Sequence, residues 1–259
     1  MNTRLPDMLS IDLNCDLGEI VGSEGETLEA QLMRHVSSIN VACGGHAGDA
    51  DRVRNVVARA LPLNLAIGAH PGYVDRVNFG RNVVPMSLPE IYDLVSQQIQ
   101  VVTQIVKELG GRLQHVKPHG ALYNLAATSP ETAHAIAAAV RALDPQCQLV
   151  GLSGSCLTAA AVTVGLRAVH EVFADRNYLA DGSLVPRSQP HAVLHNAPQI
   201  AARAAVIVET GVVVAVDGTR LTLKCDSLCI HSDTPHAVVI AAEMQRVFGE
   251  RQITIRAIA

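Results

Sequence analysis

The 259-residue chain contains no tryptophan, and aromatic residues make up only 3% of it. So small a supply of stacking side chains argues against a protein that reads bases on aromatic platforms. A basic excess is missing too. The 20 Lys and Arg stand against 24 Asp and Glu, a formal net charge of −4, which gives no electrostatic footprint for DNA or RNA. No apolar run approaches the roughly 20 residues of a membrane span. The opening "MNTRLPDMLS" lacks the apolar segment of a secretory leader. Together these absences predict a cytoplasmic protein with neither a nucleic-acid nor a membrane partner.

Familiar motifs are also absent. No G-x-x-x-x-G-K-[ST] occurs, which excludes a Walker-type phosphate loop. "GLSGS", Gly151 to Ser155, matches neither the dinucleotide fingerprint nor G-x-S-x-G. It reads as a tight strand-to-helix turn, whose amides could still meet an anion. "HAVLH", His191 to His195, has the i, i+4 spacing of a zinc-binding helix but lacks the Glu that would act as base. The six scattered cysteines read as reduced, mostly buried thiols. Cys225-x-x-x-Cys229-x-His231 has no second compact ligand pair to make a structural zinc site.

What the chain does contain is 49% hydrophobic and 17% charged residue, with no linker, charge block or repeat to divide it. Short apolar strands alternate with amphipathic helices. The strand candidates are "LSIDLN", "SSINVAC", "LNLAIGA", "RLQHVK", "QCQLVGL" and "AVHEVFA", then a later set around "TRLTLKCDSLCI" and "QITIRAI". The clearest helix runs from Ser87 to Leu109, with Ile91, Val95, Ile99, Val102 and Val106 three or four apart. It opens on a Ser87-x-x-Glu90 capping box and stops at Gly110-Gly111. Asp49 caps another helix, Ser129-Pro130-Glu131 opens a third, and Thr234-Pro235 opens the last. Strict alternation predicts a parallel sheet of βα units. The undivided composition, at about the length of an α/β barrel, points to one closed or nearly closed barrel over residues 1–259 rather than a doubly wound sheet.

Residues two apart in a strand share a side. That rule puts Asp12, Asn14 and Asp16 together; Asn40 with His46, if the second strand stays extended through Gly44; and His70 with Gly68. It likewise groups His115, Lys117 and His119; Glu171, Phe173 and Asp175; and Cys229, His231 and Asp233. Six strand ends each deliver titratable groups at the C-terminal edge, where parallel α/β folds build their sites. His115 reads as a structural residue, and Asp12 either holds loops or does chemistry. Lys117 is one of only three lysines, and a charge at a strand end requires a carboxylate or phosphate partner.

The stretches "IDLNCDLGE", "VSSINVACGGHAGDA", "AIGAHPGYVDRVNFGR", "HVKPHGALYN", "EVFADRNYLADGSLVPRSQP" and "CIHSDTPHA", in this order, resemble the LamB/YcsF family over nearly the whole chain. Two positions depart from the family pattern. Gly45 stands where a large apolar residue is usual, and Ser232 stands where "HGD" would place Gly. The resemblance implies a seven-stranded β/α barrel of the glycoside hydrolase/deacetylase type. It implies ATP-dependent opening of 5-oxo-L-proline to L-glutamate, with this chain as one subunit of a 5-oxoprolinase beside partner subunits B and C. ATP is thus the implied cofactor, and a divalent metal is left open.

Through the resemblance, the functional positions are Asp12, Asn14, Asp16, His46, His70, Lys117, His119, Glu171, Asp175, Arg176 and His231. Lys117, Arg176 and Arg187 are candidates for a phosphoryl clamp, and Asp16 or Asp175 for a base. His46, His70 and His119 are candidate proton carriers, while Asn14, Asn40 and Tyr123 would hold substrate. Two alternatives remain. One is an ATP-independent amide hydrolase or deacetylase whose Asp16, His46 and His70 hold a divalent ion; the other is a subunit that binds the lactam without catalysis.

Overall fold

The computed structural model describes residues 9–258. The first eight positions of the segment read for a secretory leader therefore lie outside the described residues. In chain order the elements are β1 (Ser10–Leu17), α1 (Ser23–Leu32), β2 (Ser38–Ala42), α2 (Ala50–Ala60), β3 (Ala66–His70) and α3 (Leu88–Glu108). Next come β4 (Leu113–Val116), α4 (Gly120–Thr128), α5 (Pro130–Leu143), β5 (Gln148–Leu152), α6 (Cys156–Thr163) and β6 (Arg167–Phe173). The chain continues with α7 (Ala197–Thr210), β7 (Val212–Val214), β8 (Arg220–Thr222), β9 (Ser227–Ile230), α8 (Ala237–Glu250) and β10 (Thr254–Ile255).

Strands β1 to β6 and β9 run parallel in that spatial order, and β9 pairs back onto β1 to close a seven-stranded barrel. The expected alternation is therefore present, and each strand rises toward the same open end. The outward residues Leu13, Cys15 and Leu17 of β1 are completely buried against helices, so the strand's other parity, Asp12, Asn14 and Asp16, fills the barrel interior. Register carries this polarity round the barrel. Asp16 lies opposite Asn40, Asn40 opposite Gly68, Gly68 opposite His115, and Asn14 opposite Cys229. A Cβ on Gly68 would stand 2.1 Å from His115 Nε2, so the bare backbone there makes room for the ring.

Local signals behave as their chemistry requires. Ser87 and Glu90 form the reciprocal capping box, Asp49 accepts from Arg52 N at the start of α2, and Ser129 caps α5. "GLSGS" is the turn from β5 into α6, capped by Ser155. Three readings need correction. "TRLTLKCDSLCI" divides: Arg220–Thr222 forms an antiparallel hairpin with Val212–Val214 outside the barrel, and only Ser227–Ile230 joins it. "HAVLH" is not helical. His191 has a φ of 63° and Val193 bridges to Arg176, so i, i+4 spacing places no histidine pair on one face. Helix α8 begins at Ala237, after His236 at φ 64°, rather than at Thr234-Pro235.

Candidate active site

The barrel interior is a stack of polar layers. In the lowest, Asp12 accepts hydrogen bonds from the hydroxyls of Ser37 (2.7 Å), Ser38 (2.8 Å) and Ser227. Burial outweighs these bonds and raises the Asp12 carboxyl above its ordinary range. Above it, Asn14 donates to Glu171 Oε1 at 3.0 Å, and Asn40 donates to Asn14 Oδ1 and Asp16 Oδ1, each at 2.8 Å. His115 Nε2 donates to Asn40 Oδ1 at 2.8 Å.

Lys117 crowns this stack. Its ammonium lies 2.9 Å from Asp16 Oδ1, 3.0 Å from Glu171 Oε1, 3.2 Å from Asn14 Oδ1 and 3.1 Å from Cys229 Sγ. Burial alone would lower its pKa, but Asp16, Cys229 and Glu171 hold it well above the ordinary lysine value. Burial likewise disfavours ionised Asp16, yet His70 and Lys117 hold that carboxyl well below the usual range. The partner that the sequence demanded for Lys117 is thus a pair of carboxylates inside the protein.

Above this floor opens a cavity of about 700 Å³ at the C-terminal ends of the strands, the size of a small-molecule site. Of the expected site residues, Asp16, His70, Lys117, His119, Tyr123, Arg176, Arg187 and His231 line it. The others do not reach it. Asp12, Asn14, Asn40 and Glu171 belong to the layers below, because strand parity aims them inward but their positions fall two to five residues short of the strand ends. Tyr123 reaches down to that layer, its hydroxyl donating to Glu171 Oε2 at 2.8 Å.

His46 and Asp175 stand behind side chains that do reach the cavity. Strand β2 ends at Ala42, so His46 arrives from a loop rather than by extended parity. Its ring stacks on His119 with centroids 3.6 Å apart. Asp175, fully buried, accepts from His231 Nδ1 (3.0 Å) and Thr234 Oγ1 (3.0 Å). Burial opposes its ionisation, but His231 and Thr234 keep it below the ordinary carboxylate range. Asp175 therefore orients His231, whose ring also stacks on Phe173. Arg176 spends Nε and one terminal nitrogen on the carbonyls of Ala192 and Val185, and burial brings it down to about 10.

The principal residue missed is Glu19. It lies one residue past Gly18, whose φ of 82° breaks the parity of β1 and swings the carboxylate over the barrel mouth. There Glu19 Oε1 meets His46 Nε2 at 2.9 Å, His119 Nδ1 at 3.3 Å and His70 Nε2 at 3.8 Å. It closes the run "IDLNCDLGE" and was therefore in view, but no period-2 rule could aim it. Arg81, which pairs with Asp233 at the rim and sits over the Phe79 ring, was missed as well, as was Thr234. Gly45, one of the two departures, has no room for a side chain. A Cβ there would lie 2.7 Å from Gly72 O and 2.9 Å from the Gln98 amide that clamps Gly72. Ser232, the other, is buried with its hydroxyl unpartnered.

The buried rings set an acid limit on stability. Burial, with the Lys117 and His70 charges, pushes His115 down to about 3, and burial pushes His46 to about 4. In the unfolded chain both rings take a proton below their ordinary value of 6.5. The unfolded state then binds more protons, so stability falls as pH drops from 6.5 toward 4. His70, whose value is raised, contributes its stability in full below 6.5 and adds no slope in that window. The depressed carboxylates act only at lower pH. Urea midpoints across this range should decline for the native chain. His115→Gln, which can still donate to Asn40, should flatten the decline by about 1 kcal/mol per pH unit. An unchanged slope would count against a neutral buried ring.

Known proteins resemble this one in sequence and in fold. The LamB/YcsF family model matches residues 11–259. The 5-oxoprolinase A subunit from Brevibacillus brevis is 44% identical over 250 residues, covering 96% of this chain and 98% of that protein. Its counterpart of the same name from Bacillus subtilis is 42% identical over 252 residues, with 97% and 98% covered. Among solved structures, a lactam utilization protein from Thermus thermophilus superposes with a TM-score of 0.89 at 39% identity, covering 96% of this chain and 100% of that one.

Proposed function

This chain belongs to the LamB/YcsF family, and from that premise we propose that it is the A component of an ATP-dependent 5-oxoprolinase acting with subunits B and C. The proposed reaction opens 5-oxo-L-proline to L-glutamate while ATP becomes ADP and phosphate. One observation carries the reading. A single cavity is lined by the acid and imidazole groups Asp16, His70, His119 and His231 together with Arg81, Arg176 and Arg187 and the Ser153–Ser155 turn that opens α6.

A lactam is a resonance-stabilised amide, and its carbonyl carbon is a poor electrophile. Transfer of the γ-phosphoryl group of ATP to the lactam oxygen gives ADP and an imidate-like phosphate with an activated carbon. One water adds to that carbon and the C–N bond breaks, leaving an acyl phosphate and a free amine. A second water releases phosphate and the new carboxylate. The arginines and the amides of the Ser153–Ser155 turn suit the transferring phosphoryl oxygens. His231, oriented by Asp175, suits proton transfer to and from water and the departing nitrogen. Lys117 holds Asp16 and Glu171 in place rather than serving as a free phosphate clamp, because its ammonium is already paired with those two carboxylates.

The test is reconstitution. This chain, its B and C partners, oxoproline and ATP are mixed and each component is omitted in turn, with glutamate and phosphate both measured. Glutamate should form only in the complete mixture, in step with phosphate. Glutamate formed by this chain alone without ATP would replace the reading with a stand-alone amide hydrolase. Full turnover without this chain would reject it outright.

A further inference from the structure

His70 and His119 line the cavity and Glu19 and His46 stand beside them; each of the four offers one donor atom, and these lie within 4.8 Å of one another. Two backbone carbonyls fix the chemistry of two of these rings. A carbonyl oxygen only accepts, so His70 Nδ1, 2.6 Å from Lys117 O, carries a proton. For the same reason His119 Nε2, 2.9 Å from Phe79 O, carries one. The other nitrogens, His70 Nε2 and His119 Nδ1, face each other 3.0 Å apart and are bridged by a proton, as when His70 is charged, or by a metal ion in its place. Glu19 Oε1 adds negative charge at 3.3 Å from His119 Nδ1 and 3.8 Å from His70 Nε2. Converging lone pairs repel unless a cation stands between them.

The spacing fits a metal ion better than a shared proton, because a proton joins two donors and three converge here, Glu19 Oε1, His70 Nε2 and His119 Nδ1. His46 is not a fourth, since its ring lies parallel to His119 and two parallel rings cannot both aim in-plane lone pairs at one ion. A tetrahedral ion with ligands at about 2.0–2.1 Å has ligand–ligand edges of about 3.3 Å. The His70–His119, Glu19–His119 and Glu19–His70 separations of 3.0, 3.3 and 3.8 Å bracket that edge. The carbonyls behind His70 and His119 are the outer partners that fix the tautomer of ligating histidines. Asp16, expected from the sequence as a ligand beside His46 and His70, is engaged through Oδ1 by Lys117 and Asn40. Its Oδ2 lies 3.4 Å from His70 Nε2, on the fringe of the cluster.

We propose that Glu19, His70 and His119 form a binding site for one divalent transition-metal ion of the zinc class, with His46, stacked flat on His119, held behind them as the hydrogen-bond partner of Glu19. Two imidazoles and one carboxylate select such an ion over magnesium or calcium, which prefer all-oxygen shells. Bound there, the ion supplies a Lewis acid at the cavity wall, where His70 and His119 meet whatever occupies it.

The test needs neither lactam nor nucleotide, so its outcome is independent of the proposed oxoprolinase role. Chelator-treated protein is titrated with cobalt(II) and followed by visible absorption and elemental analysis. One cobalt per chain is expected, with the intense band of a tetrahedral site, displaced mole for mole by zinc and untouched by magnesium. Glu19→Gln and His119→Ala should each weaken binding at least tenfold, with folding checked by circular dichroism. The wild-type titration stands even if a variant misfolds. Failure of the native chain to take up stoichiometric cobalt, a weak octahedral-type band, or equal affinity in folded Glu19→Gln would overturn the assignment and leave a shared proton in the cluster.

Discussion

Replacing Lys117 by methionine is expected to destabilise the fold by about 3–5 kcal/mol, besides abolishing lactam turnover. The reason is the company the ammonium keeps. Asp16 and Glu171 contact it at 2.9 and 3.0 Å at the buried base of the cavity, where Lys117 is only 3% exposed and Glu171 has no exposure at all. Removing the cation leaves buried carboxylates with less compensation, and their desolvation is no longer offset. Denaturant midpoints of the native and Lys117→Met proteins measure the effect. The double variant Lys117→Met/Glu171→Gln should recover part of the loss, since one of the stranded charges goes with the lysine. A single-variant cost under about 1 kcal/mol, typical of an exposed ion pair, would mean that the pair is solvated. A surface-type lysine at a strand end could be removed without structural penalty; this one is part of the core.

The second large effect should appear in turnover alone. Asp175→Asn is expected to reduce oxoproline-dependent turnover of the assembled enzyme by about 10²–10⁴-fold while leaving the thermal midpoint nearly unchanged. Asparagine keeps the shape and can still accept from Thr234, but it removes the charge that faces His231 Nδ1 at 3.0 Å. The ring then loses both its preferred tautomer and the stabilisation of its protonated form. Because the two residues act as one unit, His231→Gln combined with Asp175→Asn should be little worse than either change alone. Losses that multiply, or native turnover in Asp175→Asn, would show that the dyad does not work on the reaction.

Much of this site was legible because it lies on strands. Period-2 alternation in "IDLNCDLGE", "HVKPHG" and "HEVFADR" assigns a common interior side to Asp12, Asn14, Asp16, His115, Lys117 and Glu171, and those side chains do meet inside the barrel. The same rule could not tell depth. It aims Asp12 and Asp16 alike, although one is sealed under serine hydroxyls and the other lines the cavity. Depth depends on how far each strand runs and how the strands are staggered when the barrel closes, which is a property of the whole sheet.

Loop residues obey no such period. Glu19 leaves the strand through a positive-φ glycine, His46 arrives after β2 has ended, and Arg81 and Asp233 meet from segments 152 residues apart. Ring protonation was equally out of reach, because the carbonyls of Lys117 and Phe79 that settle it belong to other loops. The sequence by itself determined the alternating barrel, the polar lining of its strands and the family, since each is written in short-range spacing or in contiguous motifs. Only the tertiary structure decided which polar groups neutralise one another beneath the floor and which reach the cavity. Pairing and burial arise when distant strand ends and loops converge, and the free energy of a charge depends on those neighbours rather than on its place in the chain.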